Sequence, residues 1–185
     1  MNKWSEIKQA TLNKLFLEES EAMQQGYLEK FQYLANECLN SIANRVKPRI
    51  AILETDTEDI NSVVTMPDDF LSFADIIGYL NNEPDPSVVY LTDKKILLPK
   101  KGSYKIIYNA LWNDITKDDV EQDNILEIDK SVLNCLPTYI ASQLLSQDDV
   151  VRSATLKNEY EMLIAGLDTN IMYESNHYKS TGGWY

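Results

Sequence analysis

Val88-Val89-Tyr90-Leu91-Thr92-Asp93-Lys94-Lys95-Ile96-Leu97-Leu98 decides the reading of the fold, because two short apolar runs flank the polar pair Asp93-Lys94. β-branched and aromatic residues suit the half-buried surface of a sheet, and a polar turn between two such runs predicts antiparallel strands. Lys101-Gly102-Ser103 then introduces an alternating run through Tyr104, Ile106 and Tyr108. The last two or three strands therefore read as an antiparallel meander. Upstream, Ile50, Ile52, Val63 and Thr65 carry the same alternation back to Pro48. For Phe70 to Ile77, periodicity leaves a helical turn and a further strand both open.

On either side of this region the period is helical. Ser5 reads as an N-cap, and Ile7, Ala10, Thr11, Leu12, Leu15 and Phe16 predict a helix to about Leu17, followed by an acidic break over residues 18–21. Tyr27, Phe31, Leu34, Cys38 and Ile42, at steps of three or four, predict an amphipathic helix ending near Asn44, ahead of Pro48. After Asp129, Val132, Leu133, Leu136, Tyr139, Ile140 and Leu144 share one helical face, with Pro137 at a kink or in the first turns. A last helix from about Asp148 to Asp168 presents Val151, Ala154, Leu156, Tyr160, Leu163, Ile164 and Leu167. One bundle core of Tyr27, Phe31, Leu34, Cys38, Tyr139, Ile140, Tyr160, Leu163 and Leu167 is expected.

The expected fold class is α+β: mainly a helical bundle from N- and C-terminal helix pairs, with a central antiparallel β insertion and an extended C-terminal tail. As domains, residues 1–173 form one unit, made of helices over 1–47, a β-rich insertion over 48–112, an acidic loop over 113–128 and a helical hairpin over 129–173. Residues 174–185 form an arm.

Composition narrows function. A formal net charge of -12 disfavours wrapping a phosphate backbone, which needs clustered Lys and Arg. No apolar run approaches the roughly 18 residues of a membrane span, and the N-terminus lacks the apolar stretch of a signal peptide, so synthesis in a cytoplasm and no membrane partner are expected. Cys38 and Cys135 sit among apolar residues and read as reduced packing residues.

Catalytic constellations are sparse. His177 is the only histidine and lies far in sequence from either cysteine. Asp114, Asp118, Asp119 and Asp123 lack the central glycine and spacing of a calcium loop, so they read as a solvated acidic loop. Asp68-Asp69 and Asp148-Asp149 each precede apolar residues and read as helix caps. No glycine arrangement cradles a phosphate. The expectation is no enzyme activity, no catalytic or metal residue and no cofactor. The C-terminus stands apart: Tyr173, Tyr178, Trp184 and Tyr185 fall on a segment without helix or strand period, with Gly182 and Gly183 between them. Large aromatics of this kind anchor protein interfaces. Tyr178, Gly182, Gly183, Trp184 and Tyr185 are the candidate partner-binding residues, with folding back over the same domain as the alternative.

Four phrases, taken in order, carry a resemblance. They are the helix Tyr27-Leu28-Glu29-Lys30-Phe31-Gln32-Tyr33-Leu34-Ala35-Asn36-Glu37-Cys38-Leu39, then Met66-Pro67-Asp68-Asp69-Phe70-Leu71, then Ile107-Tyr108-Asn109-Ala110-Leu111-Trp112. The fourth is Tyr139-Ile140-Ala141-Ser142-Gln143-Leu144-Leu145, leading through Asp148-Asp149. Over nearly its whole length the chain resembles the head-to-tail connector (adaptor) proteins of tailed bacteriophages. The resemblance implies a structural virion protein of the neck, in a ring that is usually dodecameric. Its partners would be the portal protein, downstream tail or neck proteins and other copies of itself, with DNA passing through unbound and the C-terminal arm commonly reaching the portal. An acidic lining would let DNA slide by repulsion, while the same charge would equally keep a free subunit soluble. The alternatives are another neck or tail-completion protein, or a small metal-dependent hydrolase built on Asp114 to Asp123.

Overall fold

The structure, a computed structural model, describes residues 1–176, and of 74–77 and 168–176 only the backbone. The chain divides into two compact units: one joins Met1–Lys47 to the chain from Asn113 onward, and the other is Pro48–Trp112.

The first unit is helical. Helix α1, Trp4–Leu15, begins two residues earlier than an N-cap at Ser5 would set it, with Lys3 at the N-cap. The Glu6 carboxylate caps its start, accepting the backbone N–H of Asn2 at 2.7 Å and of Lys3 at 3.3 Å, so Ser5 falls inside the first turn. The expected acidic break is itself a helix, α2 (Glu19–Gln24), because Glu21 reaches back to the Glu18 N–H at 2.8 Å and closes a capping box. Helix α3 (Leu28–Arg45) buries Phe31, Leu34, Ala35, Cys38, Leu39 and Ile42 along one stripe. Within the expected acidic loop lies α4 (Lys117–Gln122), capped by Thr116. Short α5 (Lys130–Leu133) precedes α6 (Leu136–Leu144), and α7 (Val150–Asn176) runs past the expected end at Asp168.

Helix α6 is the centre of this unit, since it is buried on nearly every side and packs against α1, α3 and α7. Pro137 occupies its first turn, where a missing N–H costs no intrahelical bond. The Tyr139 and Tyr160 rings meet at 5.1 Å, and the Cys38 thiol reaches the Tyr160 hydroxyl at 3.7 Å. Of the expected bundle core, Leu163 is the exception at 37% exposed, and Val151 and Ala154 of the expected apolar face are exposed too, because α7 turns only the narrow stripe Leu156, Tyr160, Ile164 and Leu167 inward.

The second unit is two antiparallel sheets. Strands β1 (Arg49–Thr57), β7 (Gly102–Ala110), β3 (Phe70–Leu80) and β4 (Glu83–Pro84) form one in the order β1-β7-β3-β4. Strands β2 (Ser62–Thr65), β6 (Lys95–Leu98) and β5 (Val89–Tyr90) form the other, in the order β2-β6-β5. Residues 70–77 are thus strand. The Asp93-Lys94 turn is tight, with both residues at positive φ (60° and 56°), matching the twist of the β5–β6 pair it joins. The expected meander stops there: β6 and β7 lie in different sheets, because β7 spends its two edges on β1 and β3. Gly102 makes the change of sheet, at φ 139° with only 2.6 Å between a would-be Cβ and Leu80 Cδ1.

The expectation of a mainly helical bundle with a central antiparallel β insertion is therefore corrected. The fold is mixed, 45% helical and 24% strand, with two antiparallel sheets. The physical reason is a core that the strands close for themselves: Ile96, Leu98, Tyr104 and Ile106 are essentially inaccessible, with Met66, Phe70, Val88 and Tyr108 around them. Asp85, 4% exposed, ties the region together, accepting hydrogen bonds from the Ser87 hydroxyl at 2.5 Å and the Lys100 ammonium at 3.0 Å. Those two donors outweigh its burial and hold its carboxyl below the usual range.

Candidate protein-binding surface

The expected partner-binding residues Tyr178, Gly182, Gly183, Trp184 and Tyr185, and the lone His177, lie outside the described residues. The other sequence candidates can be placed. Burial pushes the Cys38 thiol far up and the Cys135 thiol up to about 11, so neither is a thiolate at neutral pH. Both are buried free cysteines.

The acidic segment forms an open groove of about 650 Å³ between Asn113 and Ile128, with Asp114, Asp119 and Asp123 on its walls. Local structure claims two of these carboxylates. Asp119 accepts the N–H and hydroxyl of Thr116 at 2.9 and 2.7 Å, which lowers its pKa and closes the α4 capping box. Asp123, left-handed at φ 52°, accepts the N–H and hydroxyl of Ser5 at 2.8 and 3.0 Å, and Lys3 stands 3.6 Å away. Among the described residues, no group of three or more His, Cys, Asp or Glu is placed to hold a metal ion.

The paired carboxylates part company. Asp149 caps α7, accepting the Arg152 N–H at 3.0 Å, while Asp148 accepts the Tyr27 hydroxyl at 2.6 Å. Asp69 is no helix cap, since a strand follows it. It pairs instead with Arg49 at 2.5 Å and accepts the Tyr108 hydroxyl at 3.2 Å.

What the sequence reading missed is the outside of the β unit. Inward residues of β1 alternate with Ile50 and Ile52, which remain 61% and 57% exposed, and Val63, Val89 and Tyr90 are exposed on the second sheet. Strand β1 is also an edge. It pairs with β7 in unbroken register from Arg49↔Ala110 to Thr57↔Gly102, and among the described residues its other side has no strand partner. The signal was present in the sequence, since RIAILETDT carries isoleucines at the even positions and Ala51 and Leu53 at the odd ones. Alternation alone does not say which of two apolar faces is covered.

An open edge and exposed β-branched side chains can recognise an extended polypeptide through backbone hydrogen bonds. Among the described residues no helix is long and apolar enough to cross a membrane. Comparison with known proteins finds no matching family model and no matching curated protein.

Proposed function

We propose that this chain is a non-catalytic structural subunit of the neck of a tailed bacteriophage, a head-to-tail connector that assembles as a ring on the portal and leaves a passage for DNA. The observation that supports it most is the β unit's outer surface, where large apolar side chains stand exposed beside a nine-residue strand whose outer side has no strand partner among the described residues. Exposed apolar groups on an otherwise well-packed unit mark surfaces that meet other proteins. The acidity of the chain suits the same role, because a wall of negative charge repels DNA phosphates and lets the duplex slide. Another neck or tail-completion protein would share these features, and contact with the portal separates the two.

The test is co-sedimentation of the purified full chain with the portal protein of the same phage. Comigration in a fixed ratio supports the connector assignment. Independent sedimentation at all concentrations refutes it.

A further inference from the structure

We infer that the outer face of the β1-β7-β3-β4 sheet in one copy is the docking surface for the outer face of the β2-β6-β5 sheet in a second copy, a head-to-tail contact that repeats around a ring. The inference rests on the assembly reading above and deepens it, since it names the two surfaces through which neighbouring subunits meet.

Three observations carry it. First, each sheet keeps an apolar row on the side turned away from the shared core. Tyr104 and Ile106 of one sheet and Ile96 and Leu98 of the other point inward, so the two outer faces look in opposite directions. On the first, Ile52 stands opposite Ile107, and on the second, Leu97 stands between Val63 and Val89. Ile52, Val63 and Val89 are all exposed.

Second, the two faces carry opposite charge. Along β1 and β7 the outer face bears Glu54 and Asp56 against Lys105 alone. Lys105 lies 3.3 Å from Glu54, while Asp56 accepts the neutral Ser103 hydroxyl at 2.5 Å, so the balance is acidic. The three strands of the other sheet carry Lys95 and no acid.

Third, the spacings agree. Glu54 follows Ile52 by two residues and Lys95 precedes Leu97 by two, about 7 Å along each strand. Setting the Val63-Leu97-Val89 row on the Ile52-Ile107 row therefore brings Lys95 over the Glu54 and Asp56 end of β1. Contact of like with like forfeits this match, because a second β2-β6-β5 face offers Lys95 no carboxylate from its strands. An unlike contact also propagates: each copy in a pair keeps one unused face, and a rotation that closes gives a ring.

The experiment is sedimentation velocity of the full chain across a concentration series, with circular dichroism reporting the fold of each variant. Ile52→Lys disables one face and Val63→Lys the other. The expected result is a wild-type chain that grows past the dimer as concentration rises, and variants that are each monomeric alone. An equimolar mixture of the two should form dimers and nothing larger, because each supplies the face that the other lacks. Lys95→Glu and Glu54→Lys read the same contact through charge: each should weaken association roughly fivefold or more, and the combined variant should restore it. Three results would overturn the inference: a wild-type chain monomeric at every concentration, either apolar variant associating like wild type, or folded variants whose mixture stays monomeric. If an apolar variant loses its fold, the charge pair decides, and a combined variant no better than the single ones overturns the inference. Self-association that follows this pattern without portal binding would uphold the face-to-face contact and refute the connector assignment, so the two proposals fail separately.

Discussion

The helical unit and the β unit both leave large apolar side chains exposed, yet they differ in what becomes of the backbone. In the helical unit the hydrogen-bonding groups of each helix are satisfied within that helix or by its caps, so packing α1, α3 and α7 around α6 leaves no open backbone edge, although Phe16, Met23, Tyr33, Val151 and Met162 stay exposed. Several of its charges are likewise spent at home: Lys14 pairs with Glu159 at 2.6 Å, Arg45 with Glu161 at 2.8 Å and Lys47 with Asp129 at 2.8 Å. In the β unit each strand's backbone groups belong half to a neighbour, and a sheet that does not close must leave an edge. Among the described residues β1, β4, β2 and β5 are edge strands, and β1 is the longest of them. A helical core can be complete in a monomer, whereas an open sheet of this length carries its own capacity to bind.

The comparison breaks most visibly at the two cores. Phe31→Ala, in α3, should cost about 3 to 5 kcal/mol, and Ile106→Ala, in β7, about 2 to 5 kcal/mol, because both side chains are essentially inaccessible. Denaturant unfolding followed by tryptophan fluorescence reads both. A loss under about 1 kcal/mol in either would mean that unit is held by something other than its core.

Gly102→Ala should cost about 1 to 3 kcal/mol, since the new methyl meets Leu80 at a backbone angle that side chains rarely adopt. Wild-type stability of that variant, by the same measurement, would show that the crossing from β6 to β7 is not as tight as drawn.

The ion pairs of the helical unit sharpen the contrast through pH. Burial works against ionisation at Asp129, but the hydrogen bonds from Lys47 and Ser131 outweigh it and hold the carboxyl at about 2, below its ordinary 3.8. A lowered folded value stabilises the fold above the unfolded value and loses that contribution as pH falls toward the folded one. Between about pH 4 and pH 2, stability should therefore fall, and Asp129→Asn should flatten that limb in an acid titration followed by circular dichroism. An unchanged slope would remove Asp129 from the account.

The smallest expected effect on stability belongs to the β edge. Ile52→Lys should change the unfolding free energy by no more than about 0.5 kcal/mol, because the side chain is exposed. A large loss in denaturant unfolding would make Ile52 part of the unit's own core and deprive the edge of its role.

Much of the helical unit was legible because Phe31, Leu34, Cys38 and Ile42 repeat at helical spacing and only one arrangement buries such a stripe. Helix ends were less legible. Ser5 and Glu6 both suit a first turn, and the choice between them was made by Asp123, which is distant in sequence and accepts from Ser5. Strand existence was readable from alternation, but sheet membership was not: the turn at Asp93-Lys94 is local, while the separation of β6 from β7 depends on which distant strands each one meets. The weight of the β unit was underestimated because inward residues from both sheets had to be counted together before Tyr104, Ile106, Ile96 and Leu98 could be seen as one core. The candidate site was the least legible part. Asp68-Asp69 resembled a cap until Arg49 and Tyr108 claimed Asp69, and the edge of β1 exists only once the strand order is known.

Electron cryomicroscopy of the full chain mixed with a tailed-phage portal protein from the same source tests the proposed connector role most directly, since it reads assembly and partner in one image. The account predicts rings of cyclic symmetry stacked on the portal around an open channel. Bare portals beside free monomers, at concentrations well above those of a cell extract, would contradict it.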